Sequence, residues 1–121
     1  DQVIFTGFVS NEEAEILMRG AKVFVLPSFW EGFGIPVLEA MDAGVPVVCS
    51  DRGSLPEVVG KAAIIVNPEK PEEIAEGIKK VLSNPSIAKK LVRLGKERVK
   101  LFSWQKCSKI IIDLLISLAN Q

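Results

Sequence analysis

Four short stretches of the chain are apolar without alternation: residues 3–6, 22–26, 45–49 and 62–66. A strand covered on both faces reads this way, because neither face has to be polar. Helix-sized segments separate the four, and that succession predicts a parallel α/β sheet. Gly7, Pro27 and Asn67-Pro68 punctuate the strand ends. Ser10 and Glu13 have capping-box spacing, each able to satisfy the other's backbone N–H. A helix to about Gly20 is expected there, with Ala14, Leu17 and Met18 inward. Two further helices are predicted over residues 72–83 and 86–102. The first has Ile74, Ala75, Ile78, Val81 and Leu82 on one face, with acids early and lysines late, as the helix dipole favours. Gly77 in its interior has no reading from sequence. The second helix has Ile87, Leu91, Leu94, Leu101 and Phe102 inward. Its outward Lys89, Lys90, Arg93, Lys96 and Lys100 read as a solvated face, since Glu97 interrupts them.

Ser103 caps a last helix, residues 104–120, with a different pattern. At 100° per residue, Lys106, Lys109, Asp113, Ser117 and Asn120 form one narrow polar strip, and nearly all the rest is apolar. Surface helices usually carry an apolar stripe about 100° wide. A wider one calls for cover from two sides. The chain's own sheet is expected on one side. A further domain, a partner or a membrane surface is left open for the other. In an isolated chain the helix is expected to leave an exposed patch of Ile and Leu larger than soluble monomers tolerate.

Candidate chemistry lies in residues 28–50, SFWEGFGIPVLEAMDAGVPVVCS. Pro36 sits where a helix begins, since its missing N–H is not needed there. Gly44 sits where that helix stops, in a position that favours left-handed φ. A glycine-bracketed loop feeding a helix start leaves N–H groups unpaired, a setting that attracts phosphate. Pro36 donates none, so the donors are Phe33, Gly34 and Ile35. Glu31 lies in the loop and Glu39 about one turn into the helix. Glu39 is also explained by favourable interaction with the dipole, whereas Glu31 is not. An acceptor-only side chain beside a phosphate cradle suits a ligand with hydroxyls attached to phosphate, a sugar or a ribose. The link 51–60, with Gly53, Ser54, Pro56 and Glu57, reads as a helical connector.

Composition narrows the classes. At 121 residues the chain suffices for one domain with a core. Fifteen basic residues balance fifteen acidic ones, so neither nucleic acid nor an anionic lipid surface is called for by charge. There is no signal-peptide pattern at Asp1, and no apolar run reaches the ~20 residues of a membrane span. Cys49 and Cys107 read as two reduced, packed thiols of a cytoplasmic protein. With no histidine, a zinc site is not expected.

The run EGFGIPVLEAMDAGVPVV resembles the E-x7-E segment of retaining glycosyltransferases with the GT-B fold, of the glycosyl transferase group 1 type. The flanks VIFTGFVS, VFVLPS, GSLPEVVG and FSW agree, in order and at matching spacing. The resemblance covers essentially the whole chain and implies a doubly wound, Rossmann-like parallel sheet. Residues 1–121 would be the later part of the C-terminal, donor-binding domain, truncated at its N-terminal side. The helix 103–121 would dock on the N-terminal acceptor domain or a partner. The donor would be a nucleotide-activated sugar, transferred with retention. By resemblance, Glu31 is the catalytic-site acid, contacting hydroxyls of the donor sugar. Gly32 belongs to the donor-binding loop, the amides of Phe33, Gly34 and Ile35 hold the distal phosphate, Glu39 accepts from the ribose hydroxyls, and Phe8 and Val9 lie near the base. No metal and no cofactor are implied. Peripheral membrane association of the parent is left open.

The family's basic pair for the pyrophosphate lies on a part with no counterpart here, and that role passes neither to Arg52 nor to any lysine. The fragment alone is therefore expected to be inactive, although its parent is an enzyme. The alternative class is a non-catalytic nucleotide-binding or protein-docking α/β module, with the wide last helix as docking face. The acids flanking the phosphate loop discriminate, since a simple nucleotide binder does not need them. In a 3-2-1-4-5-6 sheet, the resemblance makes the four strands the third to the sixth. Residues 23–26 should then lie beside 45–49, and these beside 62–66, with 3–6 unpaired with 23–26.

Overall fold

The computed structural model describes residues 2–120. The elements run α1 (Asn11–Gly20), β1 (Phe24–Leu26), α2 (Ile35–Asp42), β2 (Val47–Ser50), α3 (Leu55–Val59), β3 (Ala63–Val66), α4 (Pro71–Ser83), α5 (Pro85–Val99) and α6 (Trp104–Ala119). The strands form one parallel sheet in the order β1-β2-β3, an α/β, Rossmann-like arrangement. Phe24 pairs with Val47, and Val47 with Ala63. These neighbours are the expected ones.

β2 is the central strand and all four of its residues are buried. Side chains alternate across a strand, and both faces here are covered. Val47 and Cys49 enter a core with Val37, Ala40 and Met41 of α2 and Leu55, Val58 and Val59 of α3. Val48 faces the opposite way, into a second core with Val66, Val81 and Leu91. Burial pushes the Cys49 thiol up to about 12. The outer strands are less enclosed: β1 is half-buried throughout, and Ile65 of β3 is exposed. Full cover on both faces therefore holds for β2 alone.

The glycine inside α4 has a packing reason. A Cβ on Gly77 would sit 3.1 Å from methyl carbons of both Val48 and Val66. α4 lies directly on the sheet there, and any side chain would lift it. Gly95 does the same for α5, where a Cβ would come within 3.0 Å of Met41 Cγ.

At the start of α4, the Asn67 N–H donates to Glu73 Oε2 at 3.0 Å, and Lys70 Nζ lies 3.0 Å from Glu73 Oε1. The N–H first, and Lys70 with it, hold the Glu73 carboxyl below its ordinary 4.5. A depressed carboxyl contributes stability above its unfolded pKa and loses it as pH falls through the folded one. Glu73→Gln should thus unfold at lower urea than wild type at pH 7, and the two midpoints should converge once the pH falls below the depressed folded value. A gap that persists there unchanged would contradict this.

Several expectations are corrected. Residues 3–6 form no strand, and Ile4 and Phe5 are 83% and 95% exposed. An isolated strand has no ladder to hold it, and no described strand pairs with this segment. The expected capping box is present: Ser10 Oγ accepts from the Glu13 N–H, and Glu13 from the Ser10 N–H. Of the expected inward positions of α1, however, only Met18 packs on the core, and Ala14 and Leu17 are exposed. Ala75 and Leu82 of α4 are exposed too, as is Leu101, because α5 ends at Val99. Cys107 is exposed, not packed.

For α6 the exposed patch of Ile and Leu is the expected one, and the cover expected from the sheet is corrected. Ser103 caps the helix as expected, accepting from the Lys106 N–H. None of its residues is buried, and Ile110, Ile111, Ile112, Leu114, Leu115, Ile116 and Leu118 are 51–68% exposed. The sheet covers no side of it. Phe102 is the last side chain packed on the core, and the chain leaves the sheet after it. No helix among the described residues is long and apolar enough to cross a membrane.

Candidate functional site

The loop after β1 and the link after β2 both leave the carboxyl edge of the sheet, the edge at which open α/β sheets take ligands. The β1 loop ends at Gly34, which caps α2 with φ +95°. That φ is costly for residues with a side chain. Space forbids one as well: a Cβ on Gly34 would lie 2.7 Å from Leu55 Cδ2. Ile35 and Pro36 open the helix, and Gly44, at φ +78°, follows its end. The Val37 N–H donates to Gly34 O at 3.1 Å. Among the described residues, the N–H groups of Phe33, Gly34 and Ile35 donate to nothing. No acid occupies the first turn of α2, so its positive dipole end is not offset from within.

The link holds this loop in place. Ser54 Oγ lies 3.1 Å from Glu31 O and 2.9 Å from Phe33 O, sharing its proton between them. Gly53, at φ +59°, lets the link come close: a Cβ there would lie 3.0 Å from Glu31 O. Glu31 is half-buried and its Oε1 accepts from Ser28 Oγ at 2.9 Å. Its Oε2 accepts no hydrogen bond among the described residues. Glu39 is exposed and its carboxylate has no hydrogen-bonded or ionic partner among them.

Glu31, Gly32, Phe33, Gly34, Ile35 and Glu39 thus sit together on one turn and the helix it starts. Phe8 and Val9 are not brought to them by any hydrogen bond or ring contact. Phe8 is 98% exposed and Val9 half-buried. Two grooves on the surface lie elsewhere. One runs along β3 and α4 past Glu73, Glu76 and Lys80, and the other lies between α4 and α5 past Lys22, Lys89 and Arg93. The loop residues line neither. Arg52 is engaged by Asp51, Glu69 and Asn67.

Gly53 and Ser54 read from sequence as part of a connector, although the link belongs to a flank that carries the family resemblance, and Arg98 and Phe102 were not singled out for the site. The Phe33 and Phe102 rings meet edge to face, with centroids 5.7 Å apart and planes at 84°. Arg98 lies over Phe102, its Cζ 5.3 Å from the ring centroid. Its Nε donates to Val58 O at 2.7 Å and Nη2 to Glu57 O, satisfying carbonyls at the end of α3 that the helix leaves free. Arg98 and Phe102 are four residues apart, but the carbonyls of Glu57 and Val58 and the ring of Phe33 lie 40 residues or more away, which left no local signal for those contacts.

The family described as "Glycosyl transferases group 1" matches residues 1–98. The O-antigen chain mannosyltransferase B of Escherichia coli is 43% identical over 104 residues, covering 86% of this chain and 27% of that protein. The MMP alpha-(1->4)-mannosyltransferase of Mycolicibacterium hassiacum is 40% identical over 101 residues, covering 80% and 25%. The chain thus spans about a quarter of the length of these two relatives. Among solved structures, sucrose-phosphate synthase from Thermosynechococcus elongatus superposes with a TM-score of 0.87 at 32% identity, over 98% of this chain and 31% of that one. The C-terminal domain of a glycosyl transferase group 1 family protein from Francisella tularensis gives 0.73 at 29% identity, over 83% and 53%.

Proposed function

Because the chain belongs to the glycosyl transferases group 1 family, we propose that the full-length protein carrying it transfers a sugar from a nucleotide-activated donor to an acceptor, with retention of anomeric configuration. The chain supplies part of the donor site. The observation that carries this reading is the set of three unpaired N–H groups, Phe33 to Ile35, beside the half-buried Glu31. These amides receive the distal phosphate. As the sugar–phosphate bond breaks, charge grows on that phosphate, and donors already aimed at it stabilise the transition state. Glu31, with Oε1 held by Ser28 and Oε2 open, contacts hydroxyls of the donor sugar. Glu39 accepts from the ribose hydroxyls, and Phe8 and Val9 lie near the base. α6 docks on the acceptor domain, a role that its wide, uncovered apolar face supports.

Titration of the full-length protein with nucleotide sugars and free nucleoside diphosphates tests the class. One nucleotide sugar should bind more tightly than its diphosphate, and its product should keep the anomeric configuration of the donor. Diphosphate binding with no gain from any sugar would make the protein a non-catalytic module instead. Glu39→Ala separates the two roles open to that acid. Loss of a charged hydrogen bond is expected to weaken nucleotide binding roughly tenfold. An exposed side chain of this kind should change stability by no more than about 0.5 kcal/mol. A destabilisation as large as the binding loss would mean that Glu39 serves the fold rather than a ligand.

A further inference from the structure

The amides of Phe33 to Ile35 can serve a phosphate only if the turn that carries them is held still, and the two ends of α3 show how it is held. At the first end, Ser54 grips the backbone oxygens of Glu31 and Phe33. At the second, Arg98 is fixed by the carbonyls of Glu57 and Val58 and lies over the ring of Phe102. Phe102 meets Phe33 edge to face. The Phe33 side chain is 47% exposed, and a Cβ added at the preceding Gly32 would meet nothing within 4 Å. On that side Phe102 is the aromatic brace of a turn otherwise open to solvent.

We propose that Phe102 is a positioning residue of the donor site: through the Phe33 ring it sets the direction of the Phe33, Gly34 and Ile35 N–H groups. The inference rests on the donor-site reading above and assigns to that site a residue outside its loop and helix, at the end of the packed core. Ring edges are electropositive and ring faces electronegative, so an edge-to-face pair fixes an angle, which an aliphatic contact does not. The guanidinium of Arg98, over its ring, steadies Phe102 in turn.

Two readouts on the full-length protein test the role. The first is hydrogen–deuterium exchange of the peptide spanning residues 32–36, without ligand. The second is affinity for ADP, GDP and UDP, taking whichever binds wild type best. Phe102→Leu should speed exchange in that peptide and weaken the diphosphate roughly three- to tenfold, the range of an aromatic pair. Phe102→Tyr, which keeps the ring edge, should stay within about twofold of wild type on both. Phe33→Leu should match Phe102→Leu in exchange, and the double variant should add little to either. Unchanged exchange in Phe102→Leu, or full additivity in the double variant, overturns the proposal. So does an equal loss in Phe102→Tyr. Faster exchange alongside a wild type that binds none of the three diphosphates overturns the donor-site reading, and the role of Phe102 in that site with it, but not the brace on the turn.

Discussion

Gly34→Ala is expected to destabilise the protein by about 2–6 kcal/mol, measured by urea unfolding. Two costs combine. The backbone at φ +95° is strained for a residue with a Cβ, by about 1–3 kcal/mol. The new methyl would also lie 2.7 Å from Leu55 Cδ2, and Leu55 is fully buried, so it has little room to retreat. Overpacking of this kind costs about 1–3 kcal/mol. Gly32→Ala is the control: Gly32 has no positive φ, and its Cβ would meet nothing within 4 Å. It should fall within about 0.5 kcal/mol of wild type. Similar stabilities for the two variants would show that Gly34 is dispensable to the fold.

On the proposed transferase reading, Glu31→Gln is expected to lower kcat of the full-length protein by roughly a hundredfold or more, the size of effect seen when one preorganised electrostatic contact is removed from a transition state. Stability should hardly move. Gln keeps a side-chain oxygen that can accept from Ser28 Oγ, as Glu31 Oε1 does at 2.9 Å. The way the loss divides is informative: a fall in kcat at constant KM marks an interaction made mainly in the transition state, while a rise in KM alone marks simple donor binding. Turnover within about threefold of wild type would remove Glu31 from the chemistry.

The local devices were legible because each is written within a few residues. The Ser10–Glu13 box, the stop at Gly44 and the unalternating run of β2 follow from neighbours three or four positions away, or from strand period. The placement of Glu31, Gly34 and Glu39 on one turn and helix was readable for the same reason. The failures have a common cause in distance. Residues 3–6 have the composition of a strand, but a strand exists only beside another. The inward face assigned to α1 assumed a surface that α1 meets only at Met18. Gly77 had no meaning until Val48 and Val66 were seen beneath it. Ser54, Arg98 and Phe102 hold the loop from more than 20 residues away, and nothing around them in sequence announces it.

The contrast between the two cysteines makes the chain its own reporter of assembly. Alkylating reagents attack the thiolate. Cys49 is fully buried, with its thiol pushed up to about 12, so at pH 8 its thiolate is scarce. It answers to iodoacetamide only when the core opens. Cys107 is exposed on α6, on the helical face that also carries Ile111 and Leu114. Under native conditions one label should enter, and it should enter there. Whatever seats itself on that helix will slow the labelling of Cys107, while the silence of Cys49 certifies that the core stayed shut.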